Sequence, residues 1–252
     1  MNRLLNKVAL ITGAASGIGL ATATRFAEQS ATVILGDRNE ALLEQALASI
    51  CEISAGHRAI RFDVTSESEW VHAMAEITST FGRLDILVNN AGFGKFQSIE
   101  NTTLEDWRSI IAVNLDSVFL GTKYAMPLLA GSGHGSIVNM SSIRGLVAGP
   151  NASAYCAAKA GVRLFTKATA LECAQAGNGI RVNSVHPGHV ETPLTAPAYA
   201  NPEIAREFLE HTPLGRFAKP KEVADAIVFL ASDEASYMTG SEVTIDGGIT
   251  AQ

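Results

Sequence analysis

Thr12-Gly13-Ala14-Ala15-Ser16-Gly17-Ile18-Gly19 directly follows the apolar run Val8-Ala9-Leu10-Ile11 and opens an amphipathic stretch. A glycine cluster in a loop means little by itself. Between a strand and a helix it reads as a phosphate-binding turn. Gly13 permits the tight turn, Gly17 lets backbone approach a pyrophosphate, and Gly19 lets the helix pack on the sheet. Ser16 and Ile18 lie between them, where the free N–H groups and positive dipole end of a helix suit an anion.

The rest of the chain extends this first strand–helix unit. Apolar runs at 8–11, 32–35, 59–62, 86–88, 136–139, 180–185 and 242–245 read as strands. Most are apolar at consecutive positions, as strands buried on both faces must be. Helix-like segments lie between them near 17–29, 39–50, 66–81, 103–130, 153–176 and 220–231. Capping boxes are read at Ser66 with Glu69 and at Thr102 with Glu105, and Pro220 suits a first helical turn. This order predicts an α/β fold in a single domain over 1–252: a Rossmann-type, doubly wound parallel sheet with helices on both faces. The proline-rich stretch 187–220 is read as irregular, with a substrate loop over about 188–219.

Composition narrows the function. With 47% hydrophobic and 17% charged residues, the chain is globular rather than disordered. A formal charge of −6 disfavours nucleic acid or an anionic membrane as partner. No stretch has the length of a membrane-spanning helix, and no cleavage-site pattern precedes the first strand, so no signal peptide is expected. Three cysteines suit a reducing, cytoplasmic compartment. The six histidines show no metal-ligand spacing, so no metal is expected.

Two constellations carry the chemistry. Asp37 ends the second strand 18 residues past Gly19, where a carboxylate accepts hydrogen bonds from a ribose 2′-hydroxyl and repels a 2′-phosphate. Arg38 follows, but no basic residue lies within the glycine turn, so NAD is expected over NADP. Tyr155 and Lys159 are four residues apart and share one helix face. A free phenol has a pKa near ~10; a neighbouring ammonium, together with the positive ring of an oxidised nicotinamide, favours phenolate and should bring it down. Ser142 follows the fifth strand at a carboxyl end, where its hydroxyl can hold a substrate oxygen while Tyr155 moves the proton.

With these motifs in register, the chain resembles the short-chain dehydrogenase/reductase family over nearly its whole length, most of all its NAD-dependent secondary and cyclic alcohol and hydroxysteroid dehydrogenases. The resemblance also rests on Asp63-Val64, Asn89-Asn90-Ala91-Gly92, Asn114, Pro187-Gly188 and Asp246-Gly247-Gly248. It implies that Asn114 supports a proton relay through Lys159, and that Asp63 and Val64 flank the adenine. It implies that Asn90, Ala91 and Gly92 run along the cofactor. After the Pro187-Gly188 bend, Val190 and Thr192 would anchor the carboxamide through backbone and hydroxyl.

The substrate is less legible. Ser142, Ile143, Arg144, Tyr155, His189 and Leu194 are expected to touch it, with Phe93, Val147, Asn151, Ser153 and Phe208 nearby. That largely apolar set fits a secondary, possibly cyclic, alcohol and its ketone. Reduction of a 3-oxoacyl group on an acyl-carrier protein or coenzyme A is the second reading, with Arg108, Arg163 and Lys167 as a basic patch for an acidic carrier. A catalytically silent NAD sensor is a third. The resemblance implies a dimer or tetramer, with a homotetramer expected, formed through the helices at 103–130 and 153–176; the terminal carboxylate is expected at a subunit contact.

Overall fold

The computed structural model describes residues 2–251. The expected terminal contact of Gln252 lies outside them.

Seven strands run parallel in the order β3-β2-β1-β4-β5-β6-β7. They are β1 (Val8–Thr12), β2 (Thr32–Asp37), β3 (Arg58–Arg61), β4 (Ile86–Asn89), β5 (Ser136–Met140), β6 (Arg181–Pro187) and β7 (Glu242–Ile245). Alternation explains why both faces are covered. Ala9, Ile11, Val33, Leu35, Ile86 and Val88 belong to one core. Val8, Leu10, Ile34 and Leu87 belong to the other. Helices α1 (Gly17–Glu28) and α9 (Pro220–Ala231) pack together on the first face. On the second, α3 (Glu67–Phe81) packs against α5 (Ser117–Ser132). There Trp70 is wholly buried, edge-on to Phe62 at 4.8 Å, and donates to the Val64 carbonyl at 2.9 Å.

The doubly wound parallel sheet is as the patterning predicts, and the differences are local. The third strand begins and ends one residue earlier than expected, and β6 runs on to Pro187. The expected helix 103–130 is three pieces: α4 (Leu104–Ile111), a π-helical turn at Ala112–Asp116, and α5. Thr103, not Thr102, caps α4 by accepting from the Asp106 amide; the turn at Ile99–Asn101 captures the Thr102 hydroxyl on the Ser98 carbonyl. Ser66 caps α3, but the Glu69 carboxylate turns to the Asp63 amide at 2.9 Å, so that capping box is half made. The stretch read as irregular holds α7 (Ala196–Tyr199) and α8 (Pro202–Glu210). Asn201 caps α8 ahead of Pro202, a signal overlooked because no face of this helix is fully buried. Helices α2 (Glu40–Cys51) and α6 (Ser153–Ala176) fall close to where the periodicity places them.

His57 gives the fold a pH response. Its buried Nδ1 accepts from the Val33 amide at 3.0 Å, and Nε2 meets the Ser54 hydroxyl at 2.8 Å. Burial lowers the imidazole pKa below its ordinary 6.5. The unfolded state therefore binds the extra proton first, and stability is lost as pH falls below about 6.5. His57→Asn keeps an acceptor that does not titrate. Thermal melts at pH 7 and pH 5 should show a wild-type midpoint falling further than the variant's, by about 2–4 °C for one lost hydrogen bond. Equal falls would exclude His57 as the source.

Candidate active site

Strand order reverses between β1 and β4, and a cleft of about 420 Å³ opens there at the carboxyl ends. The glycine turn forms its floor. Gly13 (φ 63°) and Gly17 (φ 54°) occupy the left-handed region. Thr12 fastens the turn to the end of β4, its hydroxyl accepting from the amides of Asn90 and Ala91 at 3.0 Å each. The Asn90 amide donates to the Thr12 carbonyl at 2.9 Å. Ser16 caps α1 without a side-chain bond, so among the described residues the amides of Gly17, Ile18 and Gly19 keep their donors free. That cradle fits a pyrophosphate.

Most of the expected cofactor residues line this one cleft: Gly13, Ser16, Gly17, Ile18, Asp37, Arg38, Asp63, Val64, Asn90, Ala91, Gly92, Tyr155, Lys159, Pro187, Gly188, Val190 and Thr192. Gly19 does not. It is buried beneath the turn, and a Cβ there would stand 2.0 Å from the Gly13 carbonyl oxygen, so its part is packing. Asp37 accepts from the Ala15 amide at 3.2 Å and the Asn39 amide at 3.0 Å. A carboxylate has about four acceptor positions, so two remain for a ligand. Burial would raise the Asp63 pKa. Two hydrogen bonds from Thr65 and the charges of Arg38 and Arg61 outweigh it and hold this carboxyl below its usual value. Thr192 is partly occupied: its hydroxyl pairs with that of Thr195 at 3.1 Å.

The catalytic candidates meet at one end of the cleft. Asn114 sits in the π turn, wholly buried, donating to the Phe93 and Ile110 carbonyls at 2.9 and 3.0 Å. Its Oδ1 has no partner among the described residues and faces Gly92, as does the Lys159 ammonium. Such an orphaned buried acceptor marks a place for a bridging donor. Lys159 is 2% exposed and donates to the Met140 carbonyl at 2.9 Å. Burial, with no carboxylate paired to it among the described residues, lowers its pKa to about 8. The Ser141 hydroxyl donates to the Lys159 carbonyl at 2.9 Å, which seats the loop after β5 on α6 and brings Ser142 beside Tyr155.

For the phenol, the ammonium does not by itself bring the expected lowering. The Tyr155 pKa is pushed up to about 12: burial dominates, with the neighbouring Ser142 hydroxyl opposing it. The Lys159 ammonium stands 5.6 Å from the ring centroid, over the ring. Within the chain alone, desolvation of the phenolate wins over that cation.

Of the expected substrate residues, Ser142, Tyr155 and Leu194 line the cleft, and Phe93 joins them. Ile143, Arg144 and His189 do not. Ile143 turns into the core at 3% exposure. Arg144 folds back over Gly149 and donates to the Ala148 carbonyl at 2.8 Å. His189 stacks on Phe208 at 4.2 Å, and burial lowers its pKa to about 4. Sequence reasoning missed Leu42, Phe62, Met140, Pro193 and Thr195, which also line the cleft. Phe62 and Met140 carried a usable signal, since each lies at the carboxyl end of a strand.

A parallel sheet with a phosphate cradle and a Ser–Tyr–Lys cluster at its switch point defines a nucleotide-dependent oxidoreductase. Residues 13–250 match the family model described as "Enoyl-(Acyl carrier protein) reductase". The chain is 47% identical over 251 residues to the cyclopentanol dehydrogenase of Comamonas testosteroni, covering 100% of both. It is 41% identical over 255 residues to the NADP-dependent (R)-specific alcohol dehydrogenase of Lentilactobacillus kefiri, covering 100% of this chain and 99% of that one. Among solved structures, a short-chain type dehydrogenase/reductase from Mycobacterium marinum superposes with a TM-score of 0.94 at 35% identity, covering 100% and 98% of the two chains. The chain belongs to the short-chain dehydrogenase/reductase family, whose members use a nicotinamide cofactor.

Proposed function

We propose that this protein moves a hydride between NAD(H) and an apolar secondary alcohol, cyclic alcohols included, with Tyr155 as general acid and base. The observation that carries the reading is the convergence of Ser142, Tyr155 and Lys159 on the cleft floored by the glycine turn. The dinucleotide, when bound, supplies the hydride acceptor or donor and, oxidised, a positive charge. Tyr155 exchanges the proton with the substrate oxygen, and Ser142 holds that oxygen by a hydrogen bond. Lys159 favours the phenolate by its charge and passes the proton on towards Asn114. Asp37, with two acceptor positions to spare, binds the ribose hydroxyls.

The preference for NAD rests on the Asp37 carboxylate, which opposes a 2′-phosphate. Arg38 lines the same cleft, but its charge is shared with Asp63. The carrier reading is weaker on this surface, because Glu242 pairs with both Arg163 at 2.8 Å and Lys167 at 2.5 Å. One of the two positive charges there is thereby offset. A homotetramer accords with the exposed Leu104, Phe119, Leu164 and Leu171 on α4, α5 and α6. A reducing, cytoplasmic setting accords with three free cysteines. No helix among the described residues is long and apolar enough to cross a membrane.

The test follows reduced-nicotinamide absorbance with cyclopentanol, cyclohexanol, open-chain secondary alcohols and a 3-oxoacyl thioester, with each cofactor. Alcohols should be turned over with NAD, and Asp37→Ala should narrow the advantage of NAD over NADP in kcat/KM by about tenfold or more, the worth of one charge-assisted hydrogen bond. Faster turnover with NADP would overturn the cofactor assignment. Preference for the thioester would overturn the substrate class.

A further inference from the structure

We propose that His186 is a positioning residue for Ser142, holding the serine's backbone from within the sheet so that its hydroxyl meets the substrate oxygen. This rests on the reading of Ser142 given above. His186 is the penultimate residue of β6, just before Pro187 and the bend at Gly188, and is 0% exposed. It shares a sheet face with Ser184, two residues back. Its Nδ1 lies 3.2 Å from the Ser142 carbonyl oxygen, and its Nε2 lies 2.8 Å from the Ser184 hydroxyl.

Those two contacts assign the proton. A carbonyl oxygen only accepts, so Nδ1 carries the hydrogen and donates to Ser142. Nε2 is then the acceptor, and the Ser184 hydroxyl donates to it. Burial holds the imidazole below its ordinary value and keeps this neutral form in place. The charges facing the ring come from α6 and β7: Arg163, Lys167 and Glu242, already paired with one another. Ser184 sets the tautomer and His186 delivers it to the loop after β5.

Ser142 has few other anchors. Its hydroxyl accepts from the Arg144 amide at 3.1 Å and its carbonyl from the Gly145 amide at 2.9 Å, both within its own loop. Neighbouring Ser141 is tied to the Val185 carbonyl at 2.8 Å and to Lys159. The Ser142 hydroxyl also meets Tyr155 on α6, but for the Ser142 backbone the imidazole is the bond from the loop to the frame. A displacement of about 1 Å in a group that aligns a reacting oxygen costs on the order of a hundredfold in rate, so this bond acts on kcat rather than on cofactor affinity.

Asn and Gln separate positioning from simple space filling. The amide of His186→Asn overlies Nδ1 and keeps a donor for Ser142. That of His186→Gln reaches towards Ser184 and leaves the Ser142 carbonyl without one. With the alcohol turned over best, His186→Asn should retain kcat within about threefold, while His186→Gln should lose about ten- to a hundredfold with the Kd for NAD unchanged. In a Ser142→Ala background, His186→Gln should cost nothing further. Ser184→Ala, which leaves the imidazole in place, should lower kcat about two- to fivefold and serves if His186→Gln does not fold. Equal losses for Asn and Gln, a wild-type kcat for Gln, additivity with Ser142→Ala, or, where Ser184→Ala stands in, an unchanged kcat there would overturn the assignment. An undiminished kcat in Ser142→Ala alone would overturn the underlying reading of Ser142, and the role of His186 with it.

Discussion

Tyr155→Phe should lower kcat for alcohol oxidation by about 10²–10⁴, the usual contribution of a positioned general base, with little change in NAD affinity or thermal midpoint. The variant keeps the ring, its edge-on contact with Phe96 at 5.7 Å and its packing beside Ala154 and Ala158. Only the hydroxyl is lost. In the wild type that hydroxyl has a pKa of about 12 within the chain, so it keeps its proton through the neutral range. In the proposed reaction it is ready as an acid for ketone reduction and must give up the proton for alcohol oxidation. Oxidation should therefore quicken with rising pH, and reduction should stay level until the phenol ionises. Stopped-flow traces with both directions over pH 6–10 check the pair. Retained oxidation in Tyr155→Phe would identify another base.

Lys159→Met should abolish oxidation and at the same time stabilise the fold. The ammonium is 2% exposed, lacks a carboxylate partner among the described residues, and has its pKa lowered to about 8 from 10.5. At pH 7 the folded state carries that charge against a desolvation cost of roughly 3 kcal/mol, taking 1.36 kcal/mol per pKa unit. Removing it leaves the Met140 carbonyl without its donor, at a cost of about 1–2 kcal/mol. The net gain is about 1–2 kcal/mol, or roughly 2–4 °C in Tm. The sign reverses with pH in a defined window. Between about 8 and 10.5 the unfolded wild type binds more protons than the folded one, so wild-type stability rises there and the variant's advantage shrinks. A variant less stable than wild type at pH 7 would show that the lysine is held by interactions stronger than its burial cost.

Much of this molecule is legible in one dimension because its information is local. The glycine turn, the strand runs and the i,i+4 spacing of Tyr155 and Lys159 depend on neighbours in sequence, and the sheet is as they predict. Family motifs extend that reach to residues far apart, placing Asp63, Asn90 and Val190 on one cleft. Local rules fail where two segments compete for one group. Glu69 leaves its capping box for Asp63, and Thr102 gives its hydroxyl to Ser98. They fail again at the substrate end. The expected contacts Ile143, Arg144 and His189 are drawn into the core, back over the loop, or into an aromatic stack.

By itself the sequence determines the sheet, the cradle and the kinds of side chain at the carboxyl edge, because periodicity and turn chemistry act over a few residues. Tertiary structure alone decides the sign of the Tyr155 shift, the free acceptor of Asn114 beside Lys159, and the imidazole behind Ser142. Each depends on what chains distant in sequence remove from water or bring within 3 Å or so, and burial and hydrogen bonding act through space rather than along the chain.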